Sequence, residues 1–152
     1  MKKLIFIMFV GLSSICFSQE EKLLNNPKEL VIEFFDAFHE QDTTRLRQLA
    51  HVGARLESVS LDSDGNTKIK SDKYSDFLKG IVSIPKESVF REELHEFKVE
   101  ENGLLATVTT PYTFYFNGKM SHCGVNSFQL VKFEENWKIV YLIDTRQKDK
   151  CD

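Results

Sequence analysis

The sequence predicts an α+β fold, with helices first and a strongly curved antiparallel sheet after them. Three observations lead there. Leu30, Val31, Phe34, Phe35 and Phe38 recur at helical spacing near the start. From Val89 onward the chain breaks into alternating runs rich in aromatic and β-branched residues. In the last third, Asn117-Gly118 and Glu135-Asn136 cut the segment from Tyr112 to Arg146 into a three-stranded meander.

The elements follow in order. Lys2 and Lys3, the apolar run Leu4 to Leu12 and the tripeptide Cys16-Phe17-Ser18 read as a signal peptide over 1–18, cleaved before Gln19. The run is too short for a stable membrane anchor. A lipoprotein would need cleavage before Cys16, where Ile15 stands in place of a small residue. The expected compartment is therefore secreted or periplasmic. Residues 19–26 form a polar leader, and 27–152 form one domain. Asn26-Pro27 starts a helix that runs to about His39. Asp42 caps a second helix from Thr43 to Ala50.

Ala54 to Leu61 and Thr67 to Lys70 make a hairpin around Asp62-Ser63-Asp64-Gly65-Asn66. The acidic turn lacks the downstream glutamate of a calcium loop. Ser71 is expected to cap a third helix carrying Tyr74, Phe77, Leu78 and Ile81 on one face. Val89 to Val99 then reads as one long strand. Leu104 to Phe116 is the next, with Pro111 marking a bulge or bend.

Charge and cysteine content narrow the partners. Without Lys2 and Lys3, the 20 basic and 23 acidic residues leave an excess of five acids. No basic cluster stands out, which argues against nucleic acid. Loss of Cys16 with the signal leaves Cys123 and Cys151, an even pair in an oxidising compartment, so a disulfide is expected. A two-residue turn at Glu135-Asn136 sets Cys123 opposite residue 148, close enough for a bent tail to close the bridge. Two unpaired thiols are the alternative.

This order of elements resembles the nuclear transport factor 2-like superfamily, a cone-shaped fold. The resemblance rests on Phe34-Phe35-Asp36-Ala37-Phe38 followed by Asp42 and Leu46, on the helix around Phe77-Leu78, and on Phe128-Gln129-Leu130 before Trp137-Lys138-Ile139. Ser121-His122-Cys123-Gly124 with Asp144-Thr145-Arg146 is similar to a bacterial SnoaL-like branch without settled function. The superfamily holds ketosteroid isomerases, dehydratases, hydrolases and cyclases beside binding domains, so the site must decide.

With Ala37, Asp42 and Ala54 as anchors, the comparison with the isomerases implies three positions. The oxyanion tyrosine falls on Phe34, the aspartate base on Ser58, and the protonated aspartate on Asn126. Ser58 cannot act as the base. Asn126 can still donate to a ligand.

Strand parity groups Asn126 with His122, Gly124, Phe128 and Leu130, and matches them to Tyr112, Phe114 and Phe116. On the last strand the same count selects Ile139, Tyr141, Ile143 and Thr145 and places Asp144 on the opposite face. The expected ligand site is Phe34, Tyr112, Phe114, His122, Asn126 and Phe128, open to a small, mostly apolar molecule. His122 is the weak catalytic candidate, as a neutral base in an enzyme of dehydratase, hydrolase or cyclase type; a tyrosine is the other. A strand-end histidine bonded to a neighbour is its ordinary role. His39, His51 and His95 fall on different elements, so neither a metal site nor a cofactor is expected. Val125, Gln129, Val140 and Leu142 form the other face, apolar enough for a homodimer. A cone filled by its own side chains in a dimeric interaction domain is the remaining alternative.

Overall fold

The computed structural model describes residues 25–149 and Cys151. The expected signal peptide, its cleavage position and leader residues 19–24 lie outside the described residues. Among the described residues no helix is long and apolar enough to cross a membrane.

Helix α1, Pro27–His39, begins where Asn26 Oδ1 accepts from the backbone N–H of Lys28 and Glu29 at 2.9 and 3.2 Å. Helix α2, Thr43–Leu49, is capped by Asp42 Oδ1, which accepts from Thr44 and Arg45. Arg45 reaches back to Glu33 at 2.6 Å and to Glu40, tying the two helices together. Helix α3, Tyr74–Ser83, is not capped by Ser71 as expected. Ser71 belongs to a strand, and its hydroxyl donates to Glu57 Oε1 at 2.9 Å. The helix is docked instead by Tyr74, whose buried hydroxyl donates to Leu46 O at 2.6 Å.

The strands are β1 (Ala50–Leu61), β2 (Thr67–Lys73), β3 (Phe90–Leu94), β4 (Lys98–Asn102), β5 (Leu105–Phe116), β6 (Lys119–Phe133) and β7 (Asn136–Thr145). They form one sheet in the order β2-β1-β7-β6-β5-β3, with β4 also on β5. All neighbours are antiparallel except β1 and β7, so the sheet is mixed rather than wholly antiparallel.

The edge strand expected from Val89 to Val99 is split. Leu94 pairs with Tyr112 and Lys98 with Thr109, which leaves Thr110 and Pro111 opposite the gap. Pro111 has no N–H for the ladder, and only its carbonyl is used, accepting from His95 at 3.0 Å. The β5–β6 register runs unbroken past Pro111, so Tyr112 and Phe114 keep a common face.

Two details of β7 change its expected register, and the second reverses the parity count. Its turn closes with Phe133 opposite Asn136, one position before the expected turn. Further along, Leu130 pairs with Ile139 and Gln129 with Tyr141, leaving Val140 as an extra residue, a β-bulge. Beyond it every side chain of β7 changes face. Leu142 and Asp144 are buried inward, while Tyr141, Ile143 and Thr145 leave the interior. Asn126 consequently faces Asp144.

The core lies between α1 and the sheet. Leu30, Val31, Phe34 and Phe35 pack onto Val108, Phe128, Leu130, Trp137 and Ile139. Gly124 permits the close crossing of β6 by the end of β7. A Cβ built there would lie 1.8 Å from Thr145 O.

Candidate functional site

A cavity of about 360 Å³ opens where α1 and α3 leave the sheet uncovered. Phe34, Phe38, Phe77 and Phe114 supply its aromatic wall. The α1 spacing aims Phe34 and Phe38 at α3, and both stack on Phe77, at 6.1 and 5.9 Å between ring centroids. The exposed residues Lys70, Asp76 and Arg146 mark the rim.

The opposite wall is polar. Alternation in β3 turns Phe90, Glu92 and Leu94 inward together. Asn126 Nδ2 donates to Glu92 Oε1 at 2.6 Å. Asp144 accepts three bonds: from Ser58 Oγ at 2.5 Å, Arg146 Nε at 2.7 Å and Tyr112 Oη at 3.1 Å. The Tyr112 hydroxyl shares its proton with Thr145 O, 2.9 Å away.

Burial pushes the Glu92 carboxyl up to about 7; the Asn126 bond opposes the shift, and Asp144 adds to it. Glu92 therefore changes charge near neutral pH. Burial, with Asp144 and Glu92 nearby, raises the Tyr112 hydroxyl well above its usual range, so it stays a donor. Burial and then Arg146 lower the His122 imidazole, which favours its neutral form.

Five of the six expected ligand-site residues line the cavity: Phe34, Tyr112, Phe114, His122 and Asn126. Phe128 does not. It is fully buried beneath the α1 rings, edge-on to Phe34 at 5.5 Å and to Phe35 at 5.9 Å, because β6 dives under the helix there. Ser58 lines the cavity as a donor to Asp144. His122 is half-buried, stacked on Phe114 at 4.8 Å, and its Nδ1 lies 3.2 Å from Ser121 Oγ. No carboxylate is hydrogen-bonded to it among the described residues.

Glu92 was not foreseen, and Asp144 was expected on the opposite face. The inward set Phe90-x-Glu92-x-Leu94 carried a signal for Glu92, since two apolar neighbours at steps of two flank it. Asp144 and Arg146 were hidden by the Val140 bulge.

The other histidines have separate roles. His39 Nε2 accepts from the Glu92 N–H at 2.8 Å, His51 stacks on Phe133, and His95 Nε2 lies 3.0 Å from Thr113 Oγ1. Among the described residues no group of three or more His, Cys, Asp or Glu side chains gathers as a metal set.

The cysteines are joined as expected. Cys123 and Cys151 form a disulfide with Cα atoms 5.6 Å apart, which fits an oxidising compartment. The earlier turn and the one-residue bulge together set Cys123 opposite Gln147 rather than residue 148. Of the expected dimer face, Val125 is 39% exposed, whereas Leu142 is turned inward and 8% exposed.

No protein-family model and no curated protein matches the sequence. Solved structures do. A protein of unknown function with a cystatin-like fold from Nostoc punctiforme is 13% identical, with a TM-score of 0.62 over 80% of this chain and 89% of that one. A nuclear transport factor 2-like protein of unknown function from Shewanella baltica is 15% identical, with a TM-score of 0.58 over 80% and 91%. A nuclear transport factor 2-like superfamily protein from Salmonella enterica serovar Typhimurium is 15% identical, with a TM-score of 0.60 over 80% and 89%. Three helices on a bent seven-stranded sheet, shared with these proteins over four fifths of the chain, give this protein the nuclear transport factor 2-like fold.

Proposed function

We propose that the protein is an exported binding domain for a small molecule with an apolar body and one polar end. The cavity carries this reading: about 360 Å³, aromatic on one wall and hydrogen-bonding on the other. Phe34, Phe38, Phe77 and Phe114 take the body, and Glu92, Asn126 and Tyr112 orient the polar end. Export rests on the charged and apolar N-terminal sequence and agrees with the disulfide. Native mass spectrometry of protein purified from its own host, under conditions that keep non-covalent ligands, tests the reading. A retained small molecule, lost on Phe77→Asp, is the expected result. Protein that is free of any ligand and fails to bind a broad small-molecule library would sink it.

A second reading, acid–base catalysis, is favoured by the placement of Glu92, a carboxyl in the cavity wall whose burial pushes it up to about 7. In that case Glu92, rather than His122, is the residue to remove. Turnover lost on Glu92→Gln and kept on His122→Ala is its signature.

The outer sheet face around Val125, Gln129 and Val140 serves as a homodimer surface in this reading, with Tyr141 and Ile143 taking the place of Leu142. Light scattering of the mature protein at micromolar concentration should give twice the chain mass. A monomer would refute the dimer and leave the pocket reading intact.

A further inference from the structure

We propose that the cavity takes a small organic cation, with its ammonium at Glu92 and its apolar body against Phe34, Phe38, Phe77 and Phe114. This rests on the small-molecule-binding reading and gives that ligand its charge.

The charges around the cavity favour a cation. Four carboxylates line the cavity: Asp72, Asp76, Glu92 and Asp144. Three are already answered within the protein, by Lys70 at 2.6 Å, Lys79 at 2.7 Å and Arg146 at 2.7 Å. Glu92 alone among them has no ion pair among the described residues. Its Oε1 is held by the neutral Asn126 amide, and nothing among the described residues donates to its Oε2. Conversely, both cations that line the cavity, Lys70 and Arg146, are committed to carboxylates. An anionic ligand would have to break one of those pairs beside Asp144 or Asp72. A cation meets an unanswered carboxyl instead.

The aromatic wall supports the same sign. The faces of phenyl rings carry partial negative charge and attract ammonium groups. Several rings and one carboxylate around a single space are the chemistry that holds such a cation.

The surroundings of Glu92 set the proton balance. From β7 it feels Asp144 and Arg146; from β6, Asn126 and His122; from β5, Tyr112 and Phe114; from α1, His39. His39 accepts the Glu92 N–H on Nε2, so its ring is neutral with hydrogen on Nδ1. His122 is likewise held towards its neutral form. Neither ring offers Glu92 a cation. Without ligand, Glu92 therefore holds a proton below its titration point near 7. An arriving ammonium displaces that proton into solvent: the carboxyl O–H bond breaks, and an N–H···O⁻ contact replaces it. Affinity for a cation should rise up to about tenfold per pH unit below that point and level off above it.

Isothermal titration of the full mature protein with 2-phenylethylamine, 2-phenylethanol and phenylacetate separates the possibilities, because the three share a ring and differ in charge. The amine should bind tightest at about pH 8, by roughly tenfold or more. At about pH 6, buffers of different ionisation enthalpy should report release of nearly one proton per amine bound. Glu92→Gln keeps the acceptor for Asn126 and should abolish both the preference and the proton release. Equal or tighter binding of the alcohol or phenylacetate would overturn the cation inference while leaving the binding reading in place. Amine binding without proton release at the lower pH overturns it in the wild-type protein alone, even if the variant does not fold. Failure of all three probes also overturns it, and the mass-spectrometric search then decides the binding reading separately.

Discussion

The Asn126 side-chain amide donates to Glu92 Oε1 at 2.6 Å and so bridges β6 and β3 across the strand between them. The bond does two things. It braces a carboxyl inside the cavity, and it holds that carboxyl lower than burial alone would leave it.

Removing the amide should release that restraint. In Asn126→Leu the Glu92 carboxyl is expected to titrate above about 7, since the hydrogen bond that favours the carboxylate is gone. Carbon-detected NMR of the Glu92 carboxyl through a pH series measures it. A midpoint unchanged or lower would show that the contact carries no energy.

Glu92 should also shape the dependence of stability on pH. Its folded value, about 7, lies above its ordinary value of 4.5. The folded state therefore binds more protons between those values, and stability is lost as pH rises through that window. Glu92→Gln should remove the loss and make the protein more stable than wild type above neutrality, by up to about 3 kcal/mol. Urea melts at acid and alkaline pH give the answer; a variant that follows the wild-type curve refutes the assignment.

His39 should behave in the opposite sense. Burial lowers its imidazole below 6.5, and protonation at Nε2 would cost the bond from Glu92 N–H. Its contribution is present above 6.5 and disappears as pH falls through the depressed value. The Glu92 amide nitrogen shift should follow the same titration as the His39 ring. Independent titration curves for the two would break the proposed link.

Gly124→Ala should be among the more damaging substitutions in the sheet. The new methyl would meet the Thr145 carbonyl, which is backbone and cannot swing away. We expect a loss of about 3 kcal/mol, as for other overpacked sites. Less than about 1 kcal/mol in denaturant unfolding would mean that β7 moves aside readily.

Cys151→Ser opens a loop closed across 28 positions. The expected loss is about 2–4 kcal/mol, with the effect concentrated in exchange protection of the tail. The cavity-lining side chains are held by the sheet ladders and by Asp144 rather than by the tail, so probe binding should persist. Loss of binding together with the bridge would show that the tail supports the site.

Much of the fold was legible because it is written in local chemistry. Asn26-Pro27, Asp42 and the phenylalanine spacing of α1 each act within a turn or two of themselves. Asn117 and Gly118, both at positive φ, fixed the β5–β6 turn. The disulfide was legible from cysteine parity and compartment, even though the register count behind it was off by one. The aromatic half of the site followed from α1 spacing and from parity in β5.

What stayed hidden depends on several strands at once. The Val140 bulge has no turn residue to announce it, since it settles how β7 fits between β1 and β6. Ser71 looked like a cap because serine often is one, but pairing with Glu57 across β1 and β2 claimed it first. Phe128 looked like a pocket residue because parity gives the face and not the depth.

The bulge at Val140 also governs how this chain can be set beside its distant likenesses. At 13–15% identity, one misplaced gap near Val140 exchanges Asp144 and Arg146 for Ile143 and Thr145. The same column would then read as a charged pocket in one protein and a greasy one in the next. Past residue 140, kinship of function has to be traced on superposed backbones, because a letter-by-letter comparison there is one codon away from the wrong face.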